Sequence, residues 1–279
     1  MPFAPRHLLL LVSGAGVYSL GIYTAYHSYR IYSLPPPPPL IHTPAFQRQL
    51  QPTTTGILDR VGPDAYDAEV GGHEVLMRMG ARRKELVARA RGKVLEVSAG
   101  TGRNVAYYKG LQGVVDELCM SDVSEVMLRG AWESTTTSPP NAKPATSYPP
   151  TTFALLNAEN LAPIPTHSYD TVVSTLGLCS YDDPVAALRE FSRVTNPATG
   201  RILLLEHGRS NEYGAMDAFL DKTALSHARE WGCWWNRDIE ALVDEAGLVV
   251  EERRKFHLGT TTWLVCRPGP TRGEAAAAG

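Results

Sequence analysis

Residues 92–104 read GKVLEVSAGTGRN, and the strand and turn that they contain decide the fold. The run 93–98 is short and apolar and leads into glycines, which is typical of a buried parallel strand. Similar runs predict further strands at 118–122, 153–156, 171–176, 201–206, 248–255 and 260–266. A turn at Gly259 predicts that the last two strands pair antiparallel.

Helical patterns lie between these strands. The clearest covers 184–196, where Asp183 can cap the first turn and Pro184 suits the first helical position. Another occupies 239–246 and ends at Gly247. Strands that alternate with helices predict a doubly wound α/β fold with a mostly parallel, seven-stranded sheet.

The composition excludes several classes of protein. With 279 residues, 43% of them apolar, the chain can form one substantial core and is not wholly disordered. Its 27 basic and 29 acidic side chains give a net charge of -2, so we expect no nucleic-acid partner bound through bulk positive charge. Four scattered cysteines without a CxxC pair predict neither a disulfide framework nor a metal site. We interpret Cys179 and Cys233 as buried apolar residues.

The N-terminal region has the composition of a membrane segment. No Asp, Glu, Lys or Arg occurs from residue 7 to residue 29. About 20 such residues in a helix span about 30 Å of hydrocarbon. We therefore predict a membrane anchor at 1–33, with one transmembrane helix at about 8–29 that contacts the lipid bilayer. A cleaved secretory signal and a mitochondrial presequence are the alternatives.

Three low-complexity segments set the expected domain boundaries. Residues 34–56 contain five consecutive prolines and predict a stiff linker. Residues 134–152 are rich in Ser, Thr and Pro and predict a disordered insertion, and 268–279 predict a disordered tail. The globular domain is expected at 57–267, interrupted by that insertion.

The glycine turn after the first strand predicts a ligand site. In open α/β sheets the ligand lies beyond the carboxyl ends of the strands, where the strand order reverses. Glu96 is followed by small residues at positions 98, 100 and 102, while Arg103 stands where a dinucleotide motif has its third glycine. This pattern brings bare backbone against a small zwitterionic ligand and leaves a carboxylate for its cation. Asp122, 22 positions after Gly100, is expected either to bind ribose hydroxyls or to cap the next helix.

At these residues the sequence resembles the class I S-adenosylmethionine-dependent methyltransferases, which have a Rossmann-like fold. Three pieces are similar to the methyltransferase-11 and UbiE-like group: Tyr66-Asp67, the stretch 92–104, and 200–209 with the later 231–238. Within that group the chain is most similar to the fungal mitochondrial oxidase-mutant-suppressor methyltransferases. Ser98 and Asn157 depart from the family's usual Gly and Asp.

The resemblance implies S-adenosylmethionine as the cofactor and assigns roles to individual residues. Asn157 would face the adenine amino group, and Thr175 would lie beneath the sulfonium. The complete set expected to bind the cofactor is Glu96, Ser98, Gly100, Thr101, Gly102, Asn104, Asp122, Asn157, Ala158 and Thr175.

The expected activity is methyl transfer by a membrane-anchored enzyme to a small, lipophilic acceptor such as a quinone, phenol or thiol. The alternative is a catalytically weak, cofactor-binding assembly or scaffold protein of a mitochondrial membrane complex. The expected location is the mitochondrial inner membrane, with the endoplasmic reticulum membrane as the alternative.

The sequence also offers candidates for the acceptor side of the site. His207 directly follows the fifth predicted strand and is the candidate general base, unless it serves only as a turn residue. Tyr181 and His227 are weaker candidates. Trp231, Trp234 and Trp235 are expected to line an apolar acceptor pocket, to rest at the membrane surface or to pack in the core.

Overall fold

The computed structural model describes residues 62–136 and 148–269, together with residues 21–23, 25–26, 28–29 and 33. The described residues between 21 and 33 are helical. Within the described parts of the chain, no helix has both the length and the apolar character needed to cross a membrane. The predicted span at about 8–29 lies mostly outside the described residues, and the linker at 34–56 lies outside them completely. The predicted tail at 268–279 lies outside them from residue 270; its first residue, Pro268, is buried.

The described domain contains seven strands and seven helices. The strands are β1 (Gly92–Val97), β2 (Val115–Asp122), β3 (Thr151–Leu155), β4 (Thr171–Thr175), β5 (Arg201–His207), β6 (Val249–Phe256) and β7 (Thr261–Arg267). The helices are α1 (Pro63–Leu76), α2 (Met79–Val87), α3 (Val105–Tyr108), α4 (Glu125–Thr136), α5 (Pro184–Val194), α6 (Gly214–Trp231) and α7 (Ile239–Glu245).

The strands form one sheet in the order β3-β2-β1-β4-β5-β7-β6. Neighbours from β3 to β5 pair parallel, whereas β7 pairs antiparallel with both β5 and β6. The prediction of a mostly parallel, seven-stranded sheet is therefore confirmed, as is the antiparallel final pair. The strand order reverses between β1 and β4, which makes the carboxyl ends of these strands the expected place for a ligand.

Helices cover both faces of the sheet, and the central strands are apolar on both sides. Leu95 and Leu204 pack in one core cluster, which also contains Phe191 of α5. Their neighbours Val94 and Leu203 point to the other face and pack in a second cluster. Because successive side chains of a strand point to opposite faces, a strand buried on both sides needs a continuous apolar run rather than an alternating one.

Helix α5 begins where the sequence predicts it. The side chain of Asp183 accepts a hydrogen bond from the backbone N–H of Ala186 at 3.0 Å, and Pro184 is the first helical residue. The cap satisfies one of the N–H groups that have no partner within the helix. This end of α5 is therefore determined by local sequence.

The predicted disordered insertion at 134–152 is wrong at both ends. Ser134 is within α4, where its hydroxyl donates to the carbonyl of Gly130 at 2.9 Å. Thr151 and Thr152 open β3 and pair with β2. The backbone hydrogen bonds of that pairing order a segment whose own composition gives no apolar face. Residues 137–147 lie outside the described residues.

Candidate cofactor-binding site

The turn between β1 and α3 contains two glycines with different surroundings. Gly100 has φ +55°, and a Cβ added to it would meet no atom within 4 Å. Gly102 has φ +81°, and a Cβ there would lie 2.8 Å from the Cα of Ala131 in α4. Gly102 is therefore needed for close packing against α4, whereas the backbone at Gly100 borders open space. Ser98 also has a left-handed backbone, with φ 50°.

Asp122 ends β2 and joins it to the glycine turn. Its Oδ2 accepts a hydrogen bond from the backbone N–H of Gly100 at 2.8 Å, and its Oδ1 accepts one from the N–H of Ser124 at 2.9 Å. The hydroxyl of Ser124 accepts a hydrogen bond from the N–H of Met127 at 3.3 Å and so caps α4 by itself. The structure therefore brings Asp122 to the turn without requiring it as the helix cap.

A buried polar network lies behind the turn. The Nδ2 of Asn104 donates to Glu96 Oε1 at 3.1 Å and to Thr175 Oγ1 at 3.0 Å. The hydroxyl of Tyr108 interacts with the same carboxyl group. Burial raises the pKa of Glu96 to about 7. Three predicted cofactor-binding residues, from β1, the turn and β4, thus meet in one network.

Arg83 of α2 completes this network and was not predicted from the sequence. Its Nη1 donates to Thr175 Oγ1 at 2.6 Å and to Asn104 Oδ1 at 3.1 Å. Its Nη2 donates to Glu74 Oε1 at 2.7 Å. The guanidinium group is almost completely buried, so these bonds fix both its position and that of its partners. An arginine in a surface-like helical pattern gives no sequence signal for this role.

Ion pairs also connect the turn to α1. Arg103 donates to Asp67 Oδ1 at 2.6 Å and to Glu74 Oε2 at 3.0 Å, and the hydroxyl of Thr101 donates to Asp67 Oδ1 at 2.8 Å. Burial opposes ionisation of Glu74, but Arg83 and Arg103 hold its pKa below the ordinary value. An open cavity of about 550 Å³ lies between α1, α2 and the turn.

The side chain of Ser98 points towards the end of β4. Its hydroxyl lies 2.7 Å from the hydroxyl of Tyr181. Burial raises the pKa of Tyr181 far above its ordinary value, so this phenol stays protonated at neutral pH. Tyr181 is therefore a poor proton acceptor, and the prediction that it could act as a base receives no support from its surroundings.

Asn157 and Ala158 lie just after β3, beside the end of β2. The N–H of Leu156 donates to the carbonyl of Asp122 at 2.9 Å, which holds the two strand ends together. Asn157 Oδ1 accepts a hydrogen bond from the N–H of Glu159 at 2.9 Å and so forms a local turn. The side chain of Ala158 packs in the core cluster on one face of the sheet. A contact between Ala158 and the cofactor would therefore have to use the backbone.

His207 is the last residue of β5 and lies beside two cysteine thiols. Its Nε2 lies 2.8 Å from the Sγ of Cys233, and the thiol of Cys179 is close to both. Both cysteines are buried, as predicted, but their contact with His207 shows that they are not simply apolar residues. Cys233 and His207 together hold the pKa of the Cys179 thiol well below its ordinary value. No local motif could have predicted this group, because at least 26 residues separate His207 from either cysteine.

The three tryptophans at the end of α6 and just after it have different environments. Trp234 is completely buried against Ala224 and Ala228, so core packing explains it and the pocket or membrane interpretation is wrong for this residue. Trp231 and Trp235 are half-buried. The ring of His227 stacks on Trp235 with centroids 3.9 Å apart, and burial lowers the pKa of His227 to about 4.

Comparison with known proteins agrees with this geometry. A family model described as a methyltransferase domain matches residues 72–253. The mitochondrial methyltransferase OMS1 of Saccharomyces cerevisiae is 34% identical over 215 residues, which cover 72% of this chain and 44% of that protein. The ubiquinone/menaquinone biosynthesis C-methyltransferase UbiE of Pasteurella multocida is 32% identical over 117 residues, which cover 42% of this chain and 40% of that protein. The chain thus spans less than half the length of these relatives.

Solved structures share the fold. A SAM-dependent methyltransferase from Leishmania major aligns with a TM-score of 0.51 and 14% identity, over 80% of this chain and 82% of that one. A Haloferax volcanii methyltransferase, solved in complex with the Trm112 activator, aligns with a TM-score of 0.52 and 16% identity, over 74% of this chain and 96% of that one. Fold and family together imply S-adenosylmethionine as the cofactor. With the family match extending across most of the described domain, the chain belongs to the methyltransferase domain family.

Proposed function

We propose that this protein is an S-adenosylmethionine-dependent methyltransferase that acts on a small, lipophilic acceptor at a mitochondrial membrane. The observation that carries the proposal is the glycine turn. The backbone at Gly100 borders open space, and the N–H group of Gly100 donates a hydrogen bond to the Asp122 carboxylate. This turn lies at the point where the strand order reverses.

The residues present fit this cofactor. The open space at Gly100 admits a ligand against bare backbone, where any side chain would intrude. We assign the binding of the ribose hydroxyls to the Asp122 carboxylate, which also holds the turn through the N–H groups of Gly100 and Ser124. The carboxyl group of Glu96, which accepts a hydrogen bond from Asn104 behind the turn, is the proposed source of negative charge for the positively charged ligand. Asn157 remains the proposed partner of the adenine ring.

Bound S-adenosylmethionine supplies a methyl group that is already activated for direct, in-line transfer. The protein therefore has to align the acceptor and keep water away, and alignment of this kind can contribute about 7–11 kcal/mol. Ser98, Tyr181 and Thr175 are the polar groups nearest the carboxyl end of β4. Ser98 and Tyr181 bond each other, and Thr175 accepts from Asn104 and Arg83, so these hydrogen bonds fix this wall of the site before any ligand binds.

His207 is a less suitable general base than the sequence suggests. A base must lie within hydrogen-bond reach of the proton that it removes. The Nε2 of His207 already has the thiol of Cys233 as its partner. We therefore base the proposal on alignment and cofactor binding, and assign no proton transfer to His207.

The acceptor and the location are proposed from the relatives and from the sequence. UbiE is named for ubiquinone and menaquinone biosynthesis, which supports a quinone-like acceptor. OMS1 is named as a mitochondrial protein, which supports a mitochondrial location. The uncharged segment at 7–29 supports attachment to a membrane, where such acceptors are dissolved.

Incubation of the full-length protein with methyl-labelled S-adenosylmethionine and a mitochondrial lipid extract tests this function. Label in an extracted quinone, phenol or thiol is the expected result, and Asp122→Ala should abolish it. Saturable binding of the cofactor without transfer to any extracted compound would favour the scaffold alternative and contradict the proposed activity.

A further inference from the structure

Cys179, His207 and Cys233 form a compact group of soft ligand atoms. The two sulfurs and one ring nitrogen all lie within 4.8 Å of one another. They come from three separate places: the loop after β4, the last residue of β5, and the loop after α6. Both cysteines are buried, so the two thiols lie in the protein interior. We propose that these three residues bind a single Zn²⁺ ion.

The donor set favours zinc over other common cations. Zn²⁺ takes thiolate and imidazole ligands in a tetrahedral arrangement, with Zn–S bonds of about 2.3 Å and Zn–N bonds of about 2.0–2.1 Å. Those lengths place a ligating sulfur and nitrogen about 3.6 Å apart. The Nε2 of His207 and the Sγ of Cys233 are 2.8 Å apart, so they would have to separate by about 0.8 Å. Rotation of the short cysteine side chain can supply that movement.

The backbone around the cluster is held in place without the metal. The N–H of Trp234 donates to the carbonyl of Cys179 at 2.8 Å, which ties the two cysteine loops together. Arg237 donates to the carbonyls of Leu178 and Tyr181, both at 2.6 Å, and so fixes the chain on either side of Cys179. A site whose ligands are already positioned loses little conformational entropy when the ion binds.

The charges also balance when the metal binds. Each thiol releases its proton to solvent, so two thiolates and one Zn²⁺ form a neutral group. Two buried thiolates without a cation would be strongly unfavourable in this interior. The hydroxyl of Ser180 lies 3.6 Å from the Cys179 sulfur and can donate to it, as outer-shell groups commonly do for metal ligands.

Three protein ligands leave one tetrahedral position for water or for a substrate atom, which is the arrangement of catalytic zinc sites. The cluster lies at the carboxyl ends of β4 and β5, where the acceptor is expected. If the proposed function holds, an acceptor thiol, phenol or enol would release its proton to solvent and bind the ion as its anion, which would activate the acceptor without His207 as a base. Zinc binding itself does not depend on that function.

Metal analysis of the full-length protein tests the inference. The protein is purified under reducing conditions, equilibrated with Zn²⁺ and desalted against a weak chelator, and its zinc content is measured by mass spectrometry. We expect one zinc per chain. Cys179→Ser and Cys233→Ser should each weaken zinc binding by at least about 100-fold, because even outer-shell changes lower metal affinity by about 10–100-fold. Cys266→Ser, which alters a buried thiol of β7 outside the cluster, should retain one zinc.

Co²⁺ binding to the unmodified protein gives a readout that does not depend on whether the variants fold. Two thiolate ligands should produce a sulfur-to-cobalt charge-transfer band and the strong visible absorption of tetrahedral cobalt. Absence of stoichiometric zinc in the wild-type protein, equal zinc in Cys179→Ser, or a disulfide between Cys179 and Cys233 in the reduced preparation would each overturn the inference. Cofactor binding measured on the same sample shows whether the proposed function survives that result.

Discussion

The substitution Gly100→Ala separates the fold from the ligand site. The residue has φ +55°, and an alanine in this left-handed region is destabilised by about 1–2 kcal/mol. Its Cβ would meet no protein atom within 4 Å, so no further loss of stability is expected. For a domain of this size the melting temperature should fall by about 2–8 °C. The new methyl group would stand in the space that we assign to the cofactor.

Gly110→Ala is the matched control. Gly110 has φ +86° and also has no atom within 4 Å of an added Cβ, but it follows α3, outside the proposed site. Isothermal titration calorimetry with S-adenosylmethionine should show at least about tenfold weaker binding for Gly100→Ala, which corresponds to 1.4 kcal/mol. Gly110→Ala should bind like the wild type, with a similar loss of thermal stability. A folded Gly100→Ala protein with wild-type affinity would refute the placement of the cofactor at this turn.

Three further predictions concern single side chains. Asp122→Asn should weaken cofactor binding by more than about tenfold in the same titration, because the ribose hydroxyls lose a charged acceptor; unchanged affinity would reject that assignment. Asp183→Ala removes the cap of α5 and should lower stability by about 1 kcal/mol in thermal melts while cofactor affinity stays the same; a weakened affinity would mean that α5 acts on the site. Burial raises the pKa of Glu96 from 4.5 to about 7, so between these pH values the folded, cofactor-free protein holds a proton that the unfolded chain releases. The stability of the folded protein should therefore fall as pH rises from about 4.5 to 7. The Glu96→Gln protein should lose that pH dependence in thermal melts at pH 5, 6 and 7. If the stabilities of the wild type and the variant change with pH in the same way, Glu96 is ionised in the folded protein.

The sequence predicts those parts of the fold that depend on local chemistry. The strand at β1, the glycine turn and the Asp183 cap all follow from the residues at those positions, and the structure confirms them. The order β1-β4 at the centre of the sheet follows from the class of fold rather than from any one residue. Segment ends are less predictable, as Thr151 shows: its strand pairing comes from β2 and not from its own neighbours.

Groups assembled from distant parts of the chain were not predicted. Arg83 reaches Thr175 across 92 positions, and no periodic pattern records such a contact. Cys179, His207 and Cys233 become neighbours only because β4 and β5 are adjacent and the loop after α6 returns to their ends. Each of these residues has an ordinary local sequence around it. Their roles follow from tertiary packing, which the spacing of residue types along the chain does not specify.

A crystal structure of the protein with S-adenosylhomocysteine tests the central claim most directly. We predict that the ribose hydroxyls bind the carboxylate of Asp122 and that the ligand lies against the backbone of Gly100. A nucleoside bound instead in the cavity of about 550 Å³ between α1, α2 and the turn, or at any site that leaves Gly100 and Asp122 without ligand contacts, would contradict the account.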